Sequence, residues 1–357
     1  IGGLNARKEV EAAGKSWVMI EGGPYGTTCA RVGCMPSKLL IAAADSAHHV
    51  ATSEQFGIRV DEDAWEVDGK AVHERERPER DRFAGFVVEA TEDIPEEKRL
   101  RGWARFVDTT TLVVDDHTRV NADTVVIATG SSPWVPPQLD GLDDHVITSD
   151  EIFEMEDLPE SMAVFGTGII GLELGQSMAR LGVRVTFFNP YDELGIFTDP
   201  ALIEKSHEVF ESALDIHLGV QGVETSVVDG GVEIAWSDRD GVSHDARFET
   251  VLAAAGRRPN LERLDLEKTG IELGPHGVPD FEAYTMQCGN SPIFIAGDAS
   301  GHRPLLHEAS EEGRIAGANA ARFPDVETSL RKVPLAVAFS QPQMATVGRT
   351  FAELDMD

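Results

Sequence analysis

Cysteine is scarce: Cys29, Cys34 and Cys288 are the only three in 357 residues. That is far too few for a disulfide-stapled secreted scaffold of this length, and the default reading is a reducing, cytoplasmic compartment. Long apolar runs are missing too. None approaches the roughly 20 residues that a membrane helix needs, so a helical membrane span is not expected. Positive charge is in short supply, with 31 Lys and Arg against 62 Asp and Glu and a formal net charge of −31 spread along the chain. Such a surface repels phosphate backbones and argues against a nucleic-acid partner. It fits a saline setting and equally an ordinary soluble, self-repelling surface. There is no short-period repeat, no low-complexity tract and no visible signal peptide.

What is present is ordinary globular composition, 41% apolar and 26% charged. The length exceeds what one core usually organises, so two or more domains are expected. Leu4 to Ala13 reads as a helix stopped by Gly14, and Trp17 to Ile20 as a strand closed by Glu21. Ile1-Gly2 before them reads as the end of a buried strand. A Gly- and Pro-marked loop follows, and then a helical stretch from Met35 to Val50. Residues from about Asp61 to Arg101 read as charged surface helix, then alternation predicts strands near Phe106 and Val113 and another from Thr124 to Gly130. Met162 to Asn189 follows the order strand, Gly-rich turn, helix, strand. Val251 and Pro292 open further strands, and a segment after Pro334 begins to alternate again.

Gly166-x-Gly168-x-x-Gly171 lies between a predicted strand and a helix, the setting in which glycines permit a tight turn and a pyrophosphate meets helix N–H groups. About 20 residues on, the second strand ends in Asn189, which can bond a ribose hydroxyl but repels no phosphate; the following NPYDELG lacks an Arg for a 2′-phosphate. NAD is therefore expected over NADP, although Asn189-Pro190 also reads as a plain turn. Glu21 ends a strand as a ribose-binding acid would. The glycine fingerprint ahead of it, at Gly2 and Gly3, is short by about four residues, which leaves Glu21 open.

Cys29 and Cys34 are spaced too widely for a CxxC pair, and no second Cys or His cluster accompanies them, so no metal site is expected. Residues five apart on a regular helix point in different directions. A bridge between them needs the irregular passage that Gly33 and Pro36 supply, and a helix start there stabilises a thiolate. Two inert buried cysteines are the other reading. Cys288 reads as a small hydrophobe.

GGPYGTTCARVGCMPSK at Gly22 to Lys38 closely resembles the signature of the pyridine nucleotide-disulfide oxidoreductases, its SK ending being most like that of the dihydrolipoamide dehydrogenases. ATG at Ala128 to Gly130, GTGIIGLELG at Gly166 to Gly175, AAGRRPN at Ala254 to Asn260 and FIAGD at Phe294 to Asp298 continue the resemblance in order over essentially the whole chain. It implies two Rossmann-like, glutathione-reductase-like domains, one inserted in the other. Residues 1–149 and 276–333 would bind FAD, 150–275 NAD(P), and 334–357 would begin an α/β dimerisation domain.

The resemblance further implies a redox-active Cys29–Cys34 disulfide, with Cys34 against the flavin and Cys29 as the interchange thiol. Lys38 and Glu173 would pair near the flavin ring. Gly2, Gly3, Glu21, Gly26, Thr28, Thr129, Gly130, Gly297 and Asp298 would hold FAD; Gly166, Gly168, Gly171, Asn189, Gly256 and Arg257 would complete the dinucleotide sites. The implied reaction is dihydrolipoamide plus NAD to lipoamide plus NADH, with lipoamide or another small disulfide as substrate, a homodimer as the full-length state and a 2-oxo acid dehydrogenase complex as a possible setting. Other expectations are a reductase of a different disulfide or a quinone, or a catalytically dead nucleotide-binding module. The family's His-Glu base, supplied across the dimer, has no counterpart before Asp357; His307-Glu308 instead resembles the helix ahead of the interface domain.

Overall fold

The computed structural model describes residues 1–61 and 64–354. The chain divides into two compact units, each discontinuous in sequence: residues 1–27, 85–132 and 257–333 form one, and 28–84, 133–256 and 334–357 the other. Helices are numbered α1 Gly2–Ala12, α2 Thr28–Val32, α3 Cys34–Ala51, α4 Gly69–Glu92, α5 Ile169–Arg180, α6 Pro200–Glu211 and α7 Leu306–Arg322.

The second unit is built on a five-stranded parallel sheet ordered Asp215–Leu218, Arg184–Asn189, Ser161–Phe165, Thr250–Ala253, Val146–Thr148. Strand and α5 alternate with strand and α6, the doubly wound Rossmann-like pattern. The sheet is covered on both faces, and period-two alternation divides its side chains between two cores. Met162, Val164, Phe187 and Leu252 join α5 on one face. Ala163, Phe165, Phe188, Val251 and Ala253 meet the antiparallel meander Gln221–Val228, Gly231–Ser237, Ser243–Phe248 on the other. Asp199 starts α6 by accepting the Ala201 N–H at 2.9 Å, with Pro200 in the first turn, where its missing N–H costs nothing.

Residues 28–84 cluster with this unit, a different cut from the boundaries expected from sequence. The reason is packing: Leu40 and Ala44 of α3 share one core with Leu172 and Met178 of α5. The charged stretch after Asp61 carries α4 and is not surface throughout, since His73 and Glu76 are buried.

In the first unit, Ile293–Ile295 pairs in parallel with Val125–Ile127 and carries a short antiparallel extension. Ile1-Gly2 does not end a strand. Gly2 and Gly3 are the first two residues of α1. Helix α1 lies backbone to backbone against α7: a Cβ on Gly313 would come within 2.2 Å of the Gly2 carbonyl oxygen, and one on Gly317 within 2.3 Å of that of Ala6.

Candidate redox site

The cysteines sit where two helices meet. Cys29 lies in α2, Cys34 is the first residue of α3, Gly33 separates the helices, and a disulfide joins the two with their Cα atoms 4.7 Å apart. Gly33 caps α3 without a side-chain acceptor, so the positive end of an 18-residue helix is turned toward Cys34. A thiolate released there would be stabilised by the helix dipole. Just before α2, Thr27 holds φ at 62°, an unusual conformation for a β-branched residue. Thr28 begins α2, and Gly26 is buried ahead of it. Cys288 is buried and, for that reason, its thiol is pushed up to about 12, so it stays protonated and inert.

One turn along α3, Lys38 reaches α5. Its Nζ donates to Glu173 Oε2 at 2.8 Å and to Ser37 Oγ at 3.3 Å. The Glu173 side chain is 6% exposed, and its other oxygen accepts the Phe339 N–H at 2.8 Å. The two form one ion pair, with the Lys38 side chain partly exposed and that of Glu173 buried.

Glu173 belongs to the helix that the glycine motif opens. A Cβ on Gly171 would lie 2.1 Å from the Gly166 carbonyl oxygen, and one on Gly166 2.4 Å from that of Ala254, so both positions demand glycine for close approach. Gly168 differs: it caps α5 without a side-chain acceptor, and a Cβ there would face open space. Donors, dipole and room coincide at this turn, which fits the pyrophosphate of a nicotinamide dinucleotide. Asn189 is buried and its amide is already engaged. Nδ2 donates to Thr167 Oγ1 at 2.6 Å and to the Glu193 carbonyl at 3.0 Å, while Oδ1 accepts the Tyr191 N–H. It braces the turn. The structure adds an arginine that sequence missed: Arg239, from the meander, pairs with Asp192 and donates to the Leu218 carbonyl. Gly256 accepts the Trp134 N–H.

The remaining expected positions lie in the first unit. Gly2 and Gly3 lead α1, whose start also lacks a side-chain cap, and Gly2 approaches Ala296. Glu21 is exposed at the end of its strand and accepts the Gly23 N–H through one oxygen. Asp298, in a 3-10 turn that begins at Gly297, accepts from Ser131 Oγ at 2.8 Å; Ser131 in turn accepts from Arg257 Nε at 3.0 Å. Asn260 ties the Thr129 carbonyl, next to Gly130, into the same region. Ser131 was not foreseen, because a serine after ATG carries no local signal. A glycine-led helix start, an acid closing a strand and a braced aspartate make a donor and acceptor set that fits FAD. Among the described residues no group of three His, Cys, Asp or Glu could hold a metal ion, and no helix is long and apolar enough to cross a membrane.

A disulfide at a helix start, a Lys-Glu pair one turn along that helix and Rossmann-type glycine turns in the same chain define a dinucleotide-linked redox-disulfide protein. The sequence profile of the pyridine nucleotide-disulphide oxidoreductases matches residues 1–313, and the chain belongs to that family. It is 31% identical over 358 residues to a dihydrolipoyl dehydrogenase of Halobacterium salinarum, covering 98% of this chain and 74% of the relative. It is 30% identical over 348 residues to a mercuric reductase of Staphylococcus aureus, covering 94% of this chain but 61% of the relative. The fold matches that of the HOCl-induced flavoprotein disulfide reductase RclA from Escherichia coli at TM-score 0.77 and 21% identity, covering 98% of this chain and 76% of that one.

Proposed function

We propose that the protein is an FAD-dependent dithiol/disulfide oxidoreductase that oxidises dihydrolipoamide with NAD. The observation that carries this reading is the Cys29–Cys34 disulfide opening α3, with Lys38 and Glu173 paired one turn on. Residues 1–149 and 276–333 are assigned to FAD, 150–275 to the nicotinamide dinucleotide and 334–357 to the start of a dimerisation domain. NAD is preferred to NADP because the second strand ends in Asn189, the stretch NPYDELG after it holds no Arg, and the nearby Arg239 is taken up by Asp192. A homodimer, a reducing cytoplasmic setting and docking to a 2-oxo acid dehydrogenase complex complete the proposal.

The protein's own part is thiol exchange. A substrate thiolate attacks Cys29 Sγ; the Cys29–Cys34 bond breaks and Cys34 leaves as a thiolate stabilised by the α3 N-terminus. The second substrate thiol then attacks the substrate sulfur of the mixed disulfide, its proton passing to the departing Cys29 sulfur. Cys29 is released, and the substrate departs as a cyclic disulfide. FAD, held by Glu21, Asp298 and the α1 start, would supply the two-electron link between the reduced cysteines and the nicotinamide ring. Lys38 keeps a fixed positive charge beside this chemistry, and Glu173 keeps Lys38 in place.

The test is spectroscopic and kinetic. The purified protein is expected to be yellow, to gain long-wavelength thiolate-to-flavin absorbance on anaerobic reduction, and to lose that band in Cys34→Ser. Turnover of dihydrolipoamide with NAD should exceed NADPH-driven turnover of glutathione disulfide or mercuric ion. The mercuric reductase resemblance makes mercuric ion the leading second reading, and a reversed order of rates would establish it. A colourless protein would leave only a nucleotide-binding module.

A further inference from the structure

Both partners of the Lys38–Glu173 pair are touched by one residue that no motif singled out. The Lys38 ammonium lies 4.3 Å from the centre of the Phe339 ring, and the Phe339 main-chain N–H donates to Glu173 Oε1 at 2.8 Å. We propose that Phe339 is a positioning residue for this ion pair, its ring facing the cation while its amide holds the anion. The inference rests on the redox reading above for its consequence in catalysis, but its geometry stands in the second unit alone.

The register of Phe339 is fixed in turn. Three residues past Glu173 on α5, Gln176 clips the main chain of Gln341 twice, accepting from its N at 2.7 Å and donating to its O at 3.0 Å. Helix α5 therefore grips the segment after the strand Leu335–Ala338 at two points one turn apart, with Phe339 at the first. Charge and geometry explain the benefit. Glu173 is buried, and a buried carboxylate needs both oxygens satisfied; one takes Lys38 and the other Phe339 N–H. Lys38 is 37% exposed on a four-carbon stem, and the carboxylate alone does not restrict the ammonium's approach. A ring face on one side of Nζ shields the ammonium from solvent and reagents on that side and limits the rotamers that keep the pair.

The experiment compares wild type, Phe339→Leu and Phe339→Tyr in the protein as purified. Leucine keeps the main-chain bond to Glu173 and removes the ring; tyrosine restores a ring. Lys38 is followed by its rate of modification with an amine-reactive acid ester, read by peptide mass spectrometry against Lys8. Phe339→Leu is expected to speed modification of Lys38 by about tenfold without changing Lys8, and Phe339→Tyr to return it to the wild-type rate. In the same samples Phe339→Leu should shift the thiolate-to-flavin band and lower kcat more than it raises KM. Equal Lys38 modification rates in all three proteins, at matched unfolding temperature, overturn the inference. If wild type shows no flavin band, the redox reading fails instead, and the modification rates still decide whether Phe339 positions Lys38.

Discussion

Glu312 shows how much one buried side chain can be asked to do. It accepts the Gly297 N–H at 2.8 Å and the Ser300 hydroxyl, and shares Arg331 with Glu308 and Glu311. Gly297 directly precedes Asp298, so Glu312 braces the turn that presents that carboxylate. Burial pushes the Glu312 carboxyl above its ordinary range, outweighing the Gly297 N–H and Arg331. A raised folded pKa means that this group's stabilising contribution is complete below the unfolded glutamate value of about 4.3 and is lost as pH rises through the folded one. Glu312→Gln, neutral at every pH, is therefore expected to lack that component. Urea midpoints measured from about pH 4 to 8 should fall less with rising pH, relative to wild type, in the variant. Parallel profiles would show that Glu312 does not titrate in this window.

At the scale of elements, the turn into α5 separates two roles of glycine. Gly171→Ala drives a Cβ into the Gly166 carbonyl, and an unfolding loss on the order of 3 kcal/mol or more is expected. Gly168→Ala meets only open space, so thermal stability should change by about 0.5 kcal/mol or less while the Kd for NADH rises severalfold. Equal NADH affinity in Gly168→Ala would remove this turn from the binding site. This strand, turn and helix were legible in sequence because their requirements are local: glycines at fixed offsets between a buried strand and an amphipathic helix. The cysteine helix was legible for the same reason. The Lys38–Glu173 bond was reachable only through family resemblance, since its partners lie 135 residues apart. Ser131, Glu312 and Phe339 have no local signature at all; tertiary packing alone gives them a task. Ile1-Gly2 was misread because a few apolar and small residues suit a strand end as well as a first helical turn.

For the whole molecule, the net charge of −31 is the dominant global term. Its ion pairs lie mostly on exposed side chains, where each is worth about 0–1 kcal/mol, so screening them removes little. Screening the overall repulsion removes more, because the Debye length falls from about 10 Å at 0.1 M salt to about 3 Å at 1 M. The thermal midpoint is therefore expected to rise across that range of sodium chloride, and a fall would mean that attractive pairs outweigh the net repulsion. Within the first unit, the contact of Gly313 and Gly317 with α1 carries a thermodynamic consequence. At the Gly313 and Gly317 contacts no side chain stands between the two helices, so no rotamer is frozen at those points, and the leading turn of α1 is held before any dinucleotide arrives. Calorimetry of cofactor uptake should accordingly register little ordering entropy from this helix, the conformational cost having been met when the chain folded.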